Sequence, residues 1–213
     1  MQLNNIHYYY NLELIKRLRK VTMLKNDKIY PYAEAAITME YLDPKILTPP
    51  QNYILSSALQ NIIDLDNSFK ALSDQPPDYE CYDMFNLSGG FLEYSTFESS
   101  DGPVITTLLP PIIEESIEDD GSVKLIICDG MHRVYLSMIK HLRYVNCVYI
   151  RGIDKRYPYY AYPVVGGWDN VKVIDKLEPG YIKKFHRCRN NKALYRNFDS
   201  VFQNCSAPRG DIS

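Results

Sequence analysis

"KLIICDGMHRVYLSMIKHLRYVNCVYI", residues 124–150, decides the fold. Residues 124–128 form a short, continuous apolar run of the kind that makes a buried strand, and Asp129-Gly130 breaks it with a turn. Val134, Tyr135, Met138, Ile139 and Leu142 then fall on one face of a helix, and "YVNCVYI" returns as a second buried strand. Strand, turn, helix and strand in that order predict a mixed α+β domain in which a helix packs on a sheet.

The turn concentrates chemistry. A strand that ends at Asp129-Gly130 and feeds a helix from Met131 gathers free backbone N–H groups at one point, and these, with the positive end of the helix dipole, favour phosphate. Gly130 lets an anion or a backbone come close, Arg133 offers a forked contact, and His132 can donate a hydrogen bond or carry a proton. Three roles are open to Asp129: helix N-cap, ligand to a phosphate-bound Mg²⁺, or acceptor of a proton from an attacking hydroxyl. Alone, such an Asp is more often a cap, and such a His more often a satisfied helix-face residue. Together the residues read as a phosphate site, with Gly130, Met131, His132 and Arg133 holding phosphate and Asp129 and His132 available for chemistry.

Upstream, "LLPPIIEES" (108–116) carries the adjacent carboxylates Glu114 and Glu115. Strand alternation sends them to opposite faces, so at most one joins a site directly and the other faces solvent. "FLEYSTF" and "PVITTLLPPIIEES" read as extended, separated by the turn-like "ESSDG". "AEAAITMEYL" reads as a strand ending near Asp43-Pro44, which places Glu40 at its end. "TPPQNYILSSALQNIIDL" predicts a helix starting at Thr48, with Ile54, Ala58, Leu59, Ile62 and Ile63 on one face. "NLELIKRLRKVTML" predicts an amphipathic amino-terminal helix on Leu12, Ile15, Leu18 and Val21. From "SDQPPDYECYD" to "NLSGGF", proline and glycine mark a loop or lid. The last part is aromatic in "YPYYAYPVVGGW", where Trp168 and the tyrosines 157–162 are candidates to stack on a base or substrate, and basic in "YIKKFHRCRNNKALYRNF". The simplest division is a single domain: a helical extension at 1–33, a core at 34–161 and a carboxyl-terminal extension at 162–213.

Composition excludes several classes. The chain has 213 residues, 46% of them hydrophobic, enough for one core, and its net charge of -2 gives no general attraction to nucleic acid or anionic membrane. Five cysteines without a CxxC pair, an odd number, argue against a disulfide framework and a zinc site. No window approaches 18 apolar residues and the amino terminus lacks an export pattern, so a soluble protein of the reducing cytoplasm is expected, with no membrane partner.

The stretch 124–150 also resembles the core signature of the ParB and sulfiredoxin superfamily, in which a buried strand leads into an Asp-Gly-x-His-Arg helix start and then a strand. The likeness covers residues 104–152 well and 34–65 loosely. It implies a small mixed sheet flanked by helices, with helical extensions at both ends here, and a nucleotide phosphate site at the motif. Sulfiredoxins carry a catalytic cysteine where this chain has Met131, and Cys128 lies on the strand side of the turn, so sulfinic acid reduction is not expected. Chromosome-partitioning members bind CTP and DNA and carry a helix-turn-helix after this core, which the basic tail does not suggest, so nucleic acid is not the favoured partner. The motif is closest to free-amino-acid kinases of the same fold. That branch implies phosphoryl transfer assisted by Asp129, with Glu40 as the group that orients or deprotonates the acceptor hydroxyl, ahead of or behind Glu114 and Glu115. The expected activity is a Mg²⁺-dependent phosphotransferase using ATP, ADP or CTP on a small-molecule hydroxyl. The alternative is a nucleotide-dependent switch or scaffold.

Overall fold

Residues 3–73, 87, 89–96 and 103–205 are described by the computed structural model. In it the apolar run becomes strand β8 (Val123–Asp129), the motif opens helix α3 (Met131–Ile139), and the chain returns as β9 (Val145–Arg151). Together with β3 (Ala36–Leu42) and β7 (Ile112–Ile117), these strands make a four-stranded sheet in the order β3-β9-β7-β8. The β7–β9 pair is parallel and the β3–β9 and β7–β8 pairs are antiparallel, so the sheet is mixed and the fold α+β.

Alternation along these strands builds a layer on each face. Ile113, Ile127, Val145 and Cys147 point to one side, where they meet Leu59 and Phe69 of α2 (Ser56–Ser73) and Met131, Val134 and Leu136 of α3. Ile37, Ile112, Val148 and Ile150 point to the other, against Leu14 and Leu18 of α1 (Asn11–Leu18), Tyr32, Phe198 and Phe202. Asp66 of α2, 1% exposed, accepts from Lys70 at 2.7 Å and from Lys140, just beyond α3, at 2.6 Å, and so fastens the two helices together. A second sheet, in the order β1-β5-β6, comprises β1 (Leu3–Tyr9), β5 (Phe91–Thr96) and β6 (Val104–Leu108).

The ends of the chain differ from the sequence expectation. The amino-terminal segment is not purely helical: β1 precedes α1, and β2 (Thr22–Met23) comes after it. The side chains of α1 that are fully covered are Leu14 and Leu18, while Leu12 is 78% exposed. Helix α2 begins at Ser56 and not at Thr48, because Tyr53–Leu55 forms β4, which pairs in parallel with β10 (Lys172–Ile174). The carboxyl-terminal extension holds short 3-10 turns and β11 (Arg196–Asn197), paired with β2, in place of a helix. Most of the expected loop or lid, 74–86 and 88, lies outside the described residues.

Candidate functional site

Register places the motif at a fault in the sheet. Ile112 pairs with Asp129 and Ile113 with Ile127, so Cys128 is an extra residue on β8 immediately before the turn. Such a bulge bends its strand and re-aims the residues beyond it. Gly130 then takes φ +84°, a left-handed conformation that an L side chain rarely adopts, and an added Cβ would lie 3.0 Å from both Arg133 Nη2 and Pro111 Cα. Glycine is therefore needed twice over, for conformation and for space.

Gly130 is also the N-cap of α3, and no side chain caps the turn. Asp129 is therefore not spent as a cap. Its Oδ2 accepts from Arg133 Nη2 at 3.2 Å, and Arg133 Nη1 donates to the Leu109 carbonyl. Arg133 is only 7% exposed, and burial lowers its pKa against the opposing pull of Asp129. His132 Nε2 is buried and finds no hydrogen-bond partner among the described residues. Burial first, then the charges of Lys183, Arg133 and Lys184, brings the imidazole down to about 4, so it is neutral at pH 7.

Asp129, Gly130, Met131, His132 and Arg133 line one cavity of about 220 Å³. Its other walls are Ile62 and Leu65 of α2, Tyr94 of β5, residues 106–109 on and after β6, and Cys205. The motif residues are thus brought together, as a polar patch facing an apolar one. Sequence reading missed Thr106, Thr107, Tyr94 and Cys205, which reach the cavity only through pairing of β5 with β6 and through the return of the tail, and no local signal marks them. The basic tail is visible in the sequence as a group of lysines and arginines, but its electrostatic reach to His132 is not.

The remaining sequence candidates lie elsewhere. Glu40 sits on β3, at the opposite edge of the sheet from β8. Three strand spacings put it about 14 Å across the sheet from Asp129. Its charge is felt instead by Tyr149, whose hydroxyl donates to Glu115 and is pushed up to about 12, first by burial and then by Glu115. Glu114 points to the other face, 1% exposed, where Tyr32 donates to Oε1 at 2.5 Å and Arg196 pairs with both oxygens at 2.9 and 2.8 Å. The two glutamates do take opposite faces, but neither cavity nor open solvent receives Glu114. Trp168 packs against Tyr135 of α3, 5.9 Å between ring centroids, and Tyr159 is buried with Ile126 and Ala161, so neither ring lines the cavity. Cys128 is not a reactive thiol, since burial and then Glu114 push its pKa well up.

Among the described residues no three His, Cys, Asp or Glu side chains cluster to hold a metal ion, and no helix is long and apolar enough to cross a membrane. Residues 13–172 match the family model described as the ParB CE domain. No curated protein and no solved structure matches the chain.

Proposed function

Because the chain belongs to the ParB CE domain family, we propose that it binds a nucleotide through its phosphates at the start of α3 and transfers a phosphoryl group to a small-molecule hydroxyl. The observation that carries the reading is the uncapped first turn of α3, opened by a glycine in the left-handed region and set in one cavity with Asp129, His132 and Arg133. Phosphoryl transfer asks for positioning and charge neutralisation more than for unusual side-chain chemistry. The amides of the turn and Arg133 hold the phosphate, neutral His132 donates a hydrogen bond to it, and Asp129 accepts the proton of the incoming hydroxyl. Mg²⁺ fits as an ion carried on the phosphates, which needs only one or two protein carboxylates, and Asp129 is the carboxylate at this cavity. When bound it supplies charge neutralisation. ATP and CTP present the same triphosphate and ADP a diphosphate, and the base is read outside the motif.

The distance of Glu40 from Asp129 favours a second reading, a nucleotide-dependent switch in which no acceptor hydroxyl is served by that residue. The test is a thermal-shift and calorimetric screen with ATP, ADP, CTP and GTP, with and without Mg²⁺, on the wild type, Asp129→Ala and Arg133→Ala. A Mg²⁺-dependent shift for one nucleotide, lost in both variants, is expected. Binding that survives both changes would remove the site assignment. Product analysis then separates the readings: a kinase yields a phosphorylated hydroxyl acceptor, whereas a switch yields only slowly hydrolysed nucleotide; loss of turnover with affinity kept in Glu40→Gln would restore Glu40 to the site.

A further inference from the structure

We propose that the tail 196–205 holds Cys205 in the wall of the motif cavity, and that Cys205 contacts the phosphate-bearing end of the ligand held there. The inference rests on the phosphate-site reading above and concerns residues beyond 13–172, the stretch matched by the family model.

The wall is built from anchors that leave Cys205 little choice of position. Arg196, 3% exposed, gives two hydrogen bonds to Glu114 and others to the carbonyls of Tyr157, Pro158 and Leu194. Phe198 and Phe202 are buried against the sheet, with Phe202 edge-on to Phe91 at 5.4 Å. The backbone then runs along β6: Thr107 N donates to Gln203 O at 2.8 Å, Gln203 N to Thr107 Oγ1 at 3.1 Å, and Asn204 Nδ2 to Ile105 O at 2.8 Å. The next residue is Cys205, whose thiol donates to Asp199 Oδ1 at 3.5 Å and which faces the same cavity as Thr106, Asp129 and Arg133.

Size defines what meets it. A cavity of about 220 Å³ is below the 300–1,000 Å³ or so of sites that enclose a drug-sized ligand. It admits a phosphoryl group with a short acceptor and leaves a nucleoside outside. Cys205 therefore limits which acceptor or terminal phosphate fits, as a specificity-determining residue.

The experiment uses the full chain with Cys81→Ser and Cys188→Ser, leaving Cys205 as the target because Cys147 is buried and the Cys128 thiol is held protonated well above its ordinary range. Alkylation of Cys205 by iodoacetamide is timed by mass spectrometry with and without Mg-ATP, Mg-ADP and Mg-CTP. The nucleotide that raises Tm is expected to slow alkylation about tenfold at ten times its Kd. Cys205→Trp, which fills the space, should weaken that nucleotide by about tenfold, while Cys205→Ser should not. A thermal shift that needs Asp129 but leaves alkylation and the Cys205→Trp affinity unchanged overturns the wall and spares the phosphate site. No shift with any nucleotide overturns both.

Discussion

His132 is a histidine kept neutral by its surroundings, and that has a measurable cost. Its folded pKa of about 4 lies below the ordinary 6.5, so as pH falls the unfolded chain takes up the proton first. Stability is then fully present above pH 6.5 and is lost as pH falls towards 4, by a total on the order of 3 kcal/mol. Urea midpoints of His132→Gln should lose that part of the acid slope; an unchanged slope would show that the imidazole is not desolvated in solution. A phosphate bound beside the ring opposes the same trend, so nucleotide binding near pH 5 should be accompanied by proton uptake, visible as a buffer-dependent heat. At this scale the motif is legible in the sequence, because Asp129, Gly130, His132 and Arg133 sit within one turn of chain. Thr106 and Cys205 are not, because what makes them site residues is a neighbour far away in sequence.

Helices show where local pattern misleads. The spacing Leu12, Ile15, Leu18 reads as an apolar stripe, yet the packed stripe is Leu14 and Leu18, four apart, with Leu12 turned outward. Both spacings are helical, and only the position of the sheet chooses between them. Leu14→Ala should therefore cost about 2–5 kcal/mol and Leu12→Ala less than about 0.5, measured by chemical denaturation. The late start of α2 has a similar cause. Ile54 shares the helical spacing of Ala58, Leu59, Ile62 and Ile63, but β10 offers Tyr53, Ile54 and Leu55 a ladder from more than a hundred residues away. The strand-turn-helix-strand unit is legible from sequence alone, because its apolar runs are continuous and its breaks are sharp, even though β7 lies between its two strands in the sheet.

Across the whole molecule, the tail proves to be part of the core. Glu114 and Arg196 are each almost fully buried and satisfy one another through two hydrogen bonds, with Tyr32 closing the set. Breaking such a pair from one side leaves a charge without its counterpart, so Glu114→Gln should destabilise by about 3–5 kcal/mol. The Glu114→Gln/Arg196→Met double change should cost less than the sum of the single ones in a denaturation cycle. A chain ending at residue 195 should fail to unfold cooperatively, since it lacks Arg196, Phe198 and Phe202. Composition allows one domain but gives no sign that residues after 172 complete it, because the basic residues in that stretch look like a solvated surface.

The Glu114–Arg196 pair spans 82 residues of sequence. On a ribosome adding about 5–20 residues per second, the glutamate waits roughly 4–16 s for its partner to be made. During that interval Glu114 lacks its cationic partner, and the part of the sheet face that Phe198 and Phe202 cover stays open, although Leu14, Leu18 and Tyr32 of the same face are already made. Vectorial synthesis therefore cannot finish this domain piece by piece from the amino end. The nascent chain stays open until residues 196–202 clear the exit tunnel.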